Sequence, residues 1–170
     1  TTIIKSIIDL YQTIHKYNTE KTLEHVALLA PTGRASKRVS EATNLPASTI
    51  HRFLKWNKEL NKFAVNEYNK SDVDFVIIDE SSMVDIFLFD SLLKGLRVDT
   101  KIILVGDYNQ LPSVGPGQLL RDVIDSGRVE VISLKKVYRQ KEGSTIIDFA
   151  YQFNEGIIDE KIFKKSYDLT

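Results

Sequence analysis

The 170-residue chain has no cysteine, a single methionine (Met83) and a single tryptophan (Trp56). Without cysteine there are no disulfides and no thiolate metal sites, and a cytoplasmic setting is permitted. No apolar run approaches the roughly 20 residues of a membrane span and no signal peptide is visible, so no membrane partner is expected. An excess of charge of one sign is missing too: Lys+Arg and Asp+Glu both number 23. That excludes a globally basic nucleic-acid binder but not a locally basic face. The charge is unevenly placed. Pro31 to Lys62 holds seven basic and two acidic residues, a net +5, whereas Phe63 to Asp125 holds five basic and eleven acidic, a net −6. One segment suits phosphates and the other a metal ion, unless both are solvated helix surfaces. The lone methionine is internal, and the chain opens uncapped on an apolar stripe (Ile3, Ile4, Ile7, Ile8, Tyr11, Ile14) at helical spacing. Further chain is therefore expected upstream of Thr1.

With 42% hydrophobic residues, this length suits one compact domain with an ordinary core. Residues 25–30, 74–79, 101–106 and 130–134 are short apolar runs that read as strands. Helical stretches alternate with them: the opening segment, 33–43, 49–54 with Ser48 as N-cap, 83–96, 118–126 ending at Gly127, and 144–154. Strands apolar on both faces, separated by helices, predict an α/β fold with a parallel sheet covered by helices. Ligands of such sheets bind beyond the carboxyl ends of the strands. The polar clusters Pro31-Thr32-Gly33-Arg34, Asp79-Glu80 and Gly106-Asp107, with the segment after Leu134, fall at those ends.

Asp79-Glu80 closes a run of four apolar residues. An Asp at a strand tip can hold magnesium beside nucleotide phosphates, and an adjacent Glu can orient and deprotonate an attacking water. Alone, the pair reads better as a solvated acidic turn. The next strand end runs Gly106-Asp107-Tyr108-Asn109-Gln110-Leu111-Pro112-Ser113-Val114-Gly115-Pro116-Gly117. A Gln there, beside a carboxylate pair on the neighbouring strand, can bind a terminal phosphate and report its loss, and the proline and glycines shape the loop that carries the signal.

GDYNQLPSVGPG resembles motif III of RecD-like superfamily 1 DNA helicases, and DESSMVD (79–85) resembles their motif II, the Walker B segment. LLAPTGRASKRVSEATNLPASTIHRFL (28–54) is similar to motif Ia and its extension, and LKKVYRQ (134–140) to motif IV. The resemblance runs to about Gly156 in matching order and spacing, and points to exodeoxyribonuclease V alpha subunits and stand-alone RecD-type helicases. It implies the first RecA-like motor domain of a P-loop NTPase (residues 1–156), without its first strand and phosphate loop. Residues 157–170 would begin the connection to a second motor domain. The implied activity is ATP-dependent translocation on single-stranded DNA and unwinding of duplex, in repair or recombination, with ATP and Mg2+ as cofactors.

Residue by residue, the resemblance assigns Thr1 and Thr2 to the end of the phosphate loop, with Thr1 on the magnesium. It assigns Asp79 to the metal, Glu80 to the water, Gln110 to sensing the γ-phosphate and Arg139 to contacting it as charge develops. Thr32, Gly33 and Arg34 match a DNA-contacting segment, where amides, a hydroxyl and a guanidinium at a helix start suit a phosphate. For His51, in the matching TIHR string, a structural role and a DNA contact stand side by side. RecD-like proteins occur within a larger nuclease complex and alone, so the partners implied are single-stranded and duplex DNA, with or without further subunits of an exodeoxyribonuclease V-type complex. The glycines and lysine of the phosphate loop do not occur in these 170 residues, so the chain by itself is expected to be inactive. Two other classes compete: a non-catalytic DNA-binding or assembly module, and a phosphoacceptor signalling domain. The latter leaves QLPSVGPG and YRQ without a role.

Residues 53–68 (FLKWNKELNKFAVNEY) have no helical stripe. Trp56 and the alternating pair Phe63 and Val65 flank a polar centre, which reads as a β-hairpin insertion with its turn near 59–61, or else as a disordered connector. Trp56 or Phe63 would anchor the base of the hairpin. The resemblance makes this hairpin a pin at the duplex fork, with Trp56 and Phe63 on DNA.

Overall fold

The computed structural model describes residues 2–134. The chain divides into two compact units, residues 1–129 and 130–170, and every described helix and strand lies in the first. Helices α1 (Thr2–His15) and α2 (Thr19–His25) lead into strand β1 (Val26–Ala30). Helix α3 (Gly33–Thr43), strand β2 (Ser48–Thr49), the short helix α4 (Ile50–Phe53) and strands β3 (Trp56–Asn57) and β4 (Lys62–Phe63) follow. Strand β5 (Phe75–Ile78), a 3-10 turn (Ser81–Met83), helix α5 (Ile86–Gly95), strand β6 (Lys101–Leu104) and helix α6 (Leu119–Asp125) complete the order.

The main sheet has the order β2-β1-β5-β6 and every pairing in it is parallel, as the doubly apolar strands predict. Side chains alternate across it with the strand period of two. Val26 and Leu28 of β1 and Phe75 and Ile77 of β5 pack against Ile4 and Ile8 of α1 and Val39 of α3. Ala27, Leu29, Val76 and Ile78 turn the other way, onto Ile50 of α4, Leu88 and Leu92 of α5 and Leu119 of α6. Helices thus cover both faces. Each fully buried Leu or Ile contributes about 1.5–3 kcal/mol, so the two faces hold the strand register firmly.

Several boundaries differ from the sequence expectation. His25 closes α2 instead of opening β1. Its ring Nδ1 pairs with Asp74 Oδ2, while Arg97 Nη2 donates to Asp74 Oδ1 at 2.7 Å. The hydrogen bond with His25, and then the charges of His25 and Arg97, hold the Asp74 carboxyl below its ordinary range. Ser48 is not an N-cap. It lies in the parallel ladder opposite Leu29, and Thr49 caps α4 by accepting from the Arg52 amide at 3.1 Å. The helix expected from Met83 begins at Ile86, because Ser81–Met83 forms a 3-10 turn and Asp85 accepts from the Leu88 amide at 2.9 Å. Residues 130–134 form no strand; a strand persists only in a ladder, and no described strand pairs with them. The expected helix at 144–154 and nearly all of the LKKVYRQ string lie outside the described residues.

The hairpin is present. Trp56 pairs with Phe63 and Asn57 with Lys62 in an antiparallel ladder. Asn57 Oδ1 accepts from the Leu60 amide at 2.9 Å, and Asn61 takes a left-handed φ of 49° to close the turn.

Candidate functional site

The carboxyl ends of four parallel strands bring most of the expected residues to one edge of the sheet. β1 ends at Ala30 and passes through Pro31 to Thr32, which caps α3 by accepting from the Ala35 amide at 3.2 Å. A Cβ at Gly33 would meet nothing within 4 Å, so packing does not demand glycine there. Arg34, in the first turn of α3, is exposed. The first amides of an 11-residue helix, an exposed guanidinium and a bare backbone form a surface suited to an anion. β2, next to β1, delivers α4 and with it His51, also exposed.

β5 ends at Ile78 and presents Asp79 and Glu80, both half-buried. The Asp79 amide donates to Leu29 O at 2.9 Å, and Asp79 Oδ1 accepts from the Glu80 amide at 3.0 Å. Glu80 stands in the left-handed region (φ 52°, ψ 39°), which costs a non-glycine residue about 1–2 kcal/mol. Ser81 holds it there: its amide and its hydroxyl both donate to Val105 O at 2.9 Å, binding the tip of β5 to the tip of β6. Backbone strain of this kind collects where a side chain must be aimed. Gly106 follows directly, and a Cβ on it would fall 2.7 Å from Ser81 Oγ and 2.9 Å from Leu120 Cδ2. Only glycine lets the two tips approach this closely.

Beyond Gly106, Asp107 organises the start of the loop. Its Oδ1 accepts from the Asn109 amide at 3.0 Å and its Oδ2 from Gln110 Nε2 at 3.2 Å. Gln110 is exposed, in the loop that follows β6, the strand neighbouring β5, with its amide turned onto its own loop. The loop then folds back on the start of α5. Ser113 Oγ donates to Gly115 O at 2.8 Å and the Ile86 amide donates to Pro116 O at 3.2 Å. Gly115 has no room for a Cβ, which would lie 2.7 Å from that of Asp85, and Gly117 takes a φ of 91° beside Ile86.

His51, Trp56 and Phe63 form an aromatic cluster at the hairpin base. The Trp56 and Phe63 rings lie 4.7 Å apart, and His51 sits 5.8 Å from Phe63 and 6.5 Å, edge-on, from Trp56. Trp56 is 41% exposed. Thr2 opens α1 and is exposed, whereas Thr1 and Arg139 lie outside the described residues.

Sequence reasoning missed Ser81 and Ser82. Both are buried at the acidic tip, and Ser82 Oγ has no hydrogen-bond partner. The only available signal was a pair of small polar residues directly after Asp-Glu. A buried hydroxyl without a partner is costly unless a ligand or water arrives to meet it. Among the described residues no three His, Asp or Glu side chains gather as a metal cage. One carboxylate beside open polar groups suits magnesium, which keeps its waters and takes further oxygens from a nucleotide.

Comparison with known proteins agrees with this geometry. A family model described as an AAA domain matches residues 1–116. The chain is 37% identical over 131 residues to the ATP-dependent RecD2 DNA helicase of Deinococcus radiodurans, spanning 77% of this chain and 18% of that protein. It is 33% identical over 190 residues to the RecBCD enzyme subunit RecD of Buchnera aphidicola subsp. Schizaphis graminum, spanning 98% and 30%. DNA helicase B of Mus musculus is 35% identical over 144 residues, spanning 77% and 13%. The chain thus spans less than a third of the length of these curated relatives. The Pif1 helicase from Bacteroides, solved with ADP-AlF3 and ssDNA, shares the fold with a TM-score of 0.54 at 20% identity, over 85% of this chain and 42% of that one. A parallel sheet with helices on both faces, an acidic tip clamped to a glycine-shaped loop, and these matches place the chain in one family: it belongs to the RecD-like superfamily 1 DNA helicases, as part of their RecA-like motor domain.

Proposed function

We propose that the chain is the first motor lobe of an ATP-driven helicase that moves on single-stranded DNA and opens duplex in repair or recombination. The observation that carries this reading is the clamp between the tips of β5 and β6. It fixes Asp79-Glu80 beside the loop bearing Gln110 through Ser81 and the bare backbone of Gly106. Asp79 would hold magnesium, together with Thr1, and the ion would neutralise phosphate charge as it develops. Glu80, aimed by its left-handed backbone, orients the attacking water and takes its proton. Gln110 leaves Asp107 to donate to the terminal phosphate and returns when that phosphate is lost. Arg139, outside the described residues, keeps only the role that the family resemblance implies for it, contact with the γ-phosphate as charge develops.

DNA phosphates lie against the start of α3, on the amides of Gly33 and Arg34 and the Arg34 guanidinium. The Thr32 hydroxyl is already engaged as the cap, so it sets the helix start and touches DNA only secondarily. Trp56, with Phe63 and His51 behind it, offers a ring on which an unpaired base can stack. The hairpin from β3 to β4 acts as the wedge.

The test uses the full-length parent. ATP hydrolysis stimulated by single-stranded DNA is expected, and its absence would leave a non-catalytic binding module as the better account. Deleting residues 57–62 should spare that hydrolysis and abolish unwinding. Retained unwinding rules out the wedge, and joint loss of both activities marks the hairpin as a structural element.

A further inference from the structure

The hairpin is rooted more deeply than its two short strands suggest. Its ladder continues inward, with the Ala64 amide donating to Lys55 O at 3.2 Å and the Val65 amide to Leu54 O at 3.1 Å. Leu54 and Val65, at the root, are buried in the core (0% and 7% exposed). Both rest on the last residue of α5. A Cβ at Gly95 would meet Leu54 Cδ2 at 3.0 Å, Val65 Cγ1 at 3.1 Å and Val65 O at 3.4 Å. The Gly95 carbonyl also accepts from the Ser71 amide at 2.8 Å, so the chain leaving the hairpin is tied to the same residue.

The other end of α5 belongs to the β6 loop. Ile86 and its cap Asp85 are held by Pro116 O and by the close approach of Gly115 and Gly117. Between these ends run ten helical residues, about 15 Å of rod at 1.5 Å per residue. Leu88 and Leu92 bury one side of that rod in the core shared with the sheet, and Leu96, just past its end, joins them.

We infer that α5 transmits displacement of the Gln110–Gly117 loop to the hairpin, and that Gly95 is the positioning residue that seats the hairpin on the rod. This rests on the reading of Gln110 as a phosphate sensor and of the hairpin as a wedge. Gain or loss of a terminal phosphate shifts the loop, and the loop holds the start of α5 through Pro116 and Gly115. The helix slides or tilts as a unit because its hydrogen bonds are internal, and Leu54 and Val65 carry the motion to Trp56 and Phe63. Nothing softer than packed side chains intervenes. The missing Cβ at Gly95 sets how closely the hairpin root approaches, so it sets the pose of the wedge at the fork.

The experiment compares the full-length parent with its Gly95→Ala, Leu54→Ala and doubly substituted forms. The readouts are ATP hydrolysis on single-stranded DNA and base pairs opened per ATP consumed. Gly95→Ala should leave hydrolysis within about twofold and lower base pairs per ATP by about fivefold or more, the scale of ordinary coupling between sites. Adding Leu54→Ala, which removes the carbon the new methyl meets, should restore much of the loss. Unchanged base pairs per ATP in Gly95→Ala, in a parent whose 57–62 deletion abolishes unwinding, overturns the inference and leaves the wedge standing. If that deletion leaves unwinding intact, the wedge itself has failed. A second measurement does not depend on any variant folding: hydrogen exchange at the Ala64 and Val65 amides in the unaltered parent on DNA, with and without ADP plus aluminium fluoride. A change in their protection on adding the nucleotide is expected, and its absence overturns the inference.

Discussion

Glu80 carries the cost of the site in its own backbone. A left-handed glutamate persists only because the amide and hydroxyl of Ser81 both reach Val105 O, and Gly106 leaves the space for them. No periodicity announces such a conformation; the sequence shows an Asp-Glu pair and a glycine that are separated by 25 residues. At Arg34 the chain is more transparent, since an exposed arginine in the first turn after a Thr cap has few packing duties. In the parent, Arg34→Ala should weaken single-stranded DNA binding across sequences and lower the salt slope by about one unit or less. Unchanged affinity and slope return Arg34 to the solvent surface. Asp74, at the opposite edge of the sheet, bears on stability. Its carboxyl is held below the ordinary range, first by the hydrogen bond with His25, so it binds protons less readily folded than unfolded. The stability it adds is therefore complete above the usual carboxylate range and fades as pH falls through its lowered value. Urea titrations of Asp74→Asn should show a deficit near neutral pH that narrows in acid; a deficit constant with pH removes this explanation.

At the scale of elements, three strands and α3 were legible because their signals are dense, whereas β2 went unforeseen and the strand expected at 130–134 is absent. Residues 25–30, 74–79 and 101–106 are apolar on both faces, and the core uses both faces. Thr32 and Asn44 bracket α3, one as cap and the other at a left-handed φ of 57°. The hairpin was legible from Trp56, Phe63 and Val65 around a polar centre, and Phe63, one of its two expected anchors, packs against the core. Leu54 and Val65 hold it in the core, while Trp56 remains half in solvent. Tertiary pairing defeated the local signal at Ser48: the hydroxyl resembles a cap, but its backbone is claimed by the ladder with β1. The start of α5 was hidden for a related reason, since the turn at 81–83 is tied through Ser81 to Val105, just past β6.

Across the described residues the two oppositely charged segments fall on different elements. The segment with net +5 includes the start of α3, α4 and the hairpin, and the segment with net −6 includes the acidic tip of β5 and the loop after β6. On the proposed reading, DNA and metal–nucleotide chemistry occupy separate stretches of one sheet edge. These 170 residues contain no Gly-Lys-Thr loop, so the chain alone should show no DNA-dependent ATP turnover in a steady-state assay, and measurable turnover by the purified chain contradicts that expectation. The clamped tip at Asp79-Glu80 is proposed to drive ATP hydrolysis in the parent. The most direct test of this is Glu80→Gln, assayed for ATP binding and for hydrolysis on single-stranded DNA. Binding should persist, because Asp79 remains, while hydrolysis falls by about 10²-fold or more as the base is lost. Hydrolysis near the unaltered rate would contradict the account and remove Glu80 from the chemistry.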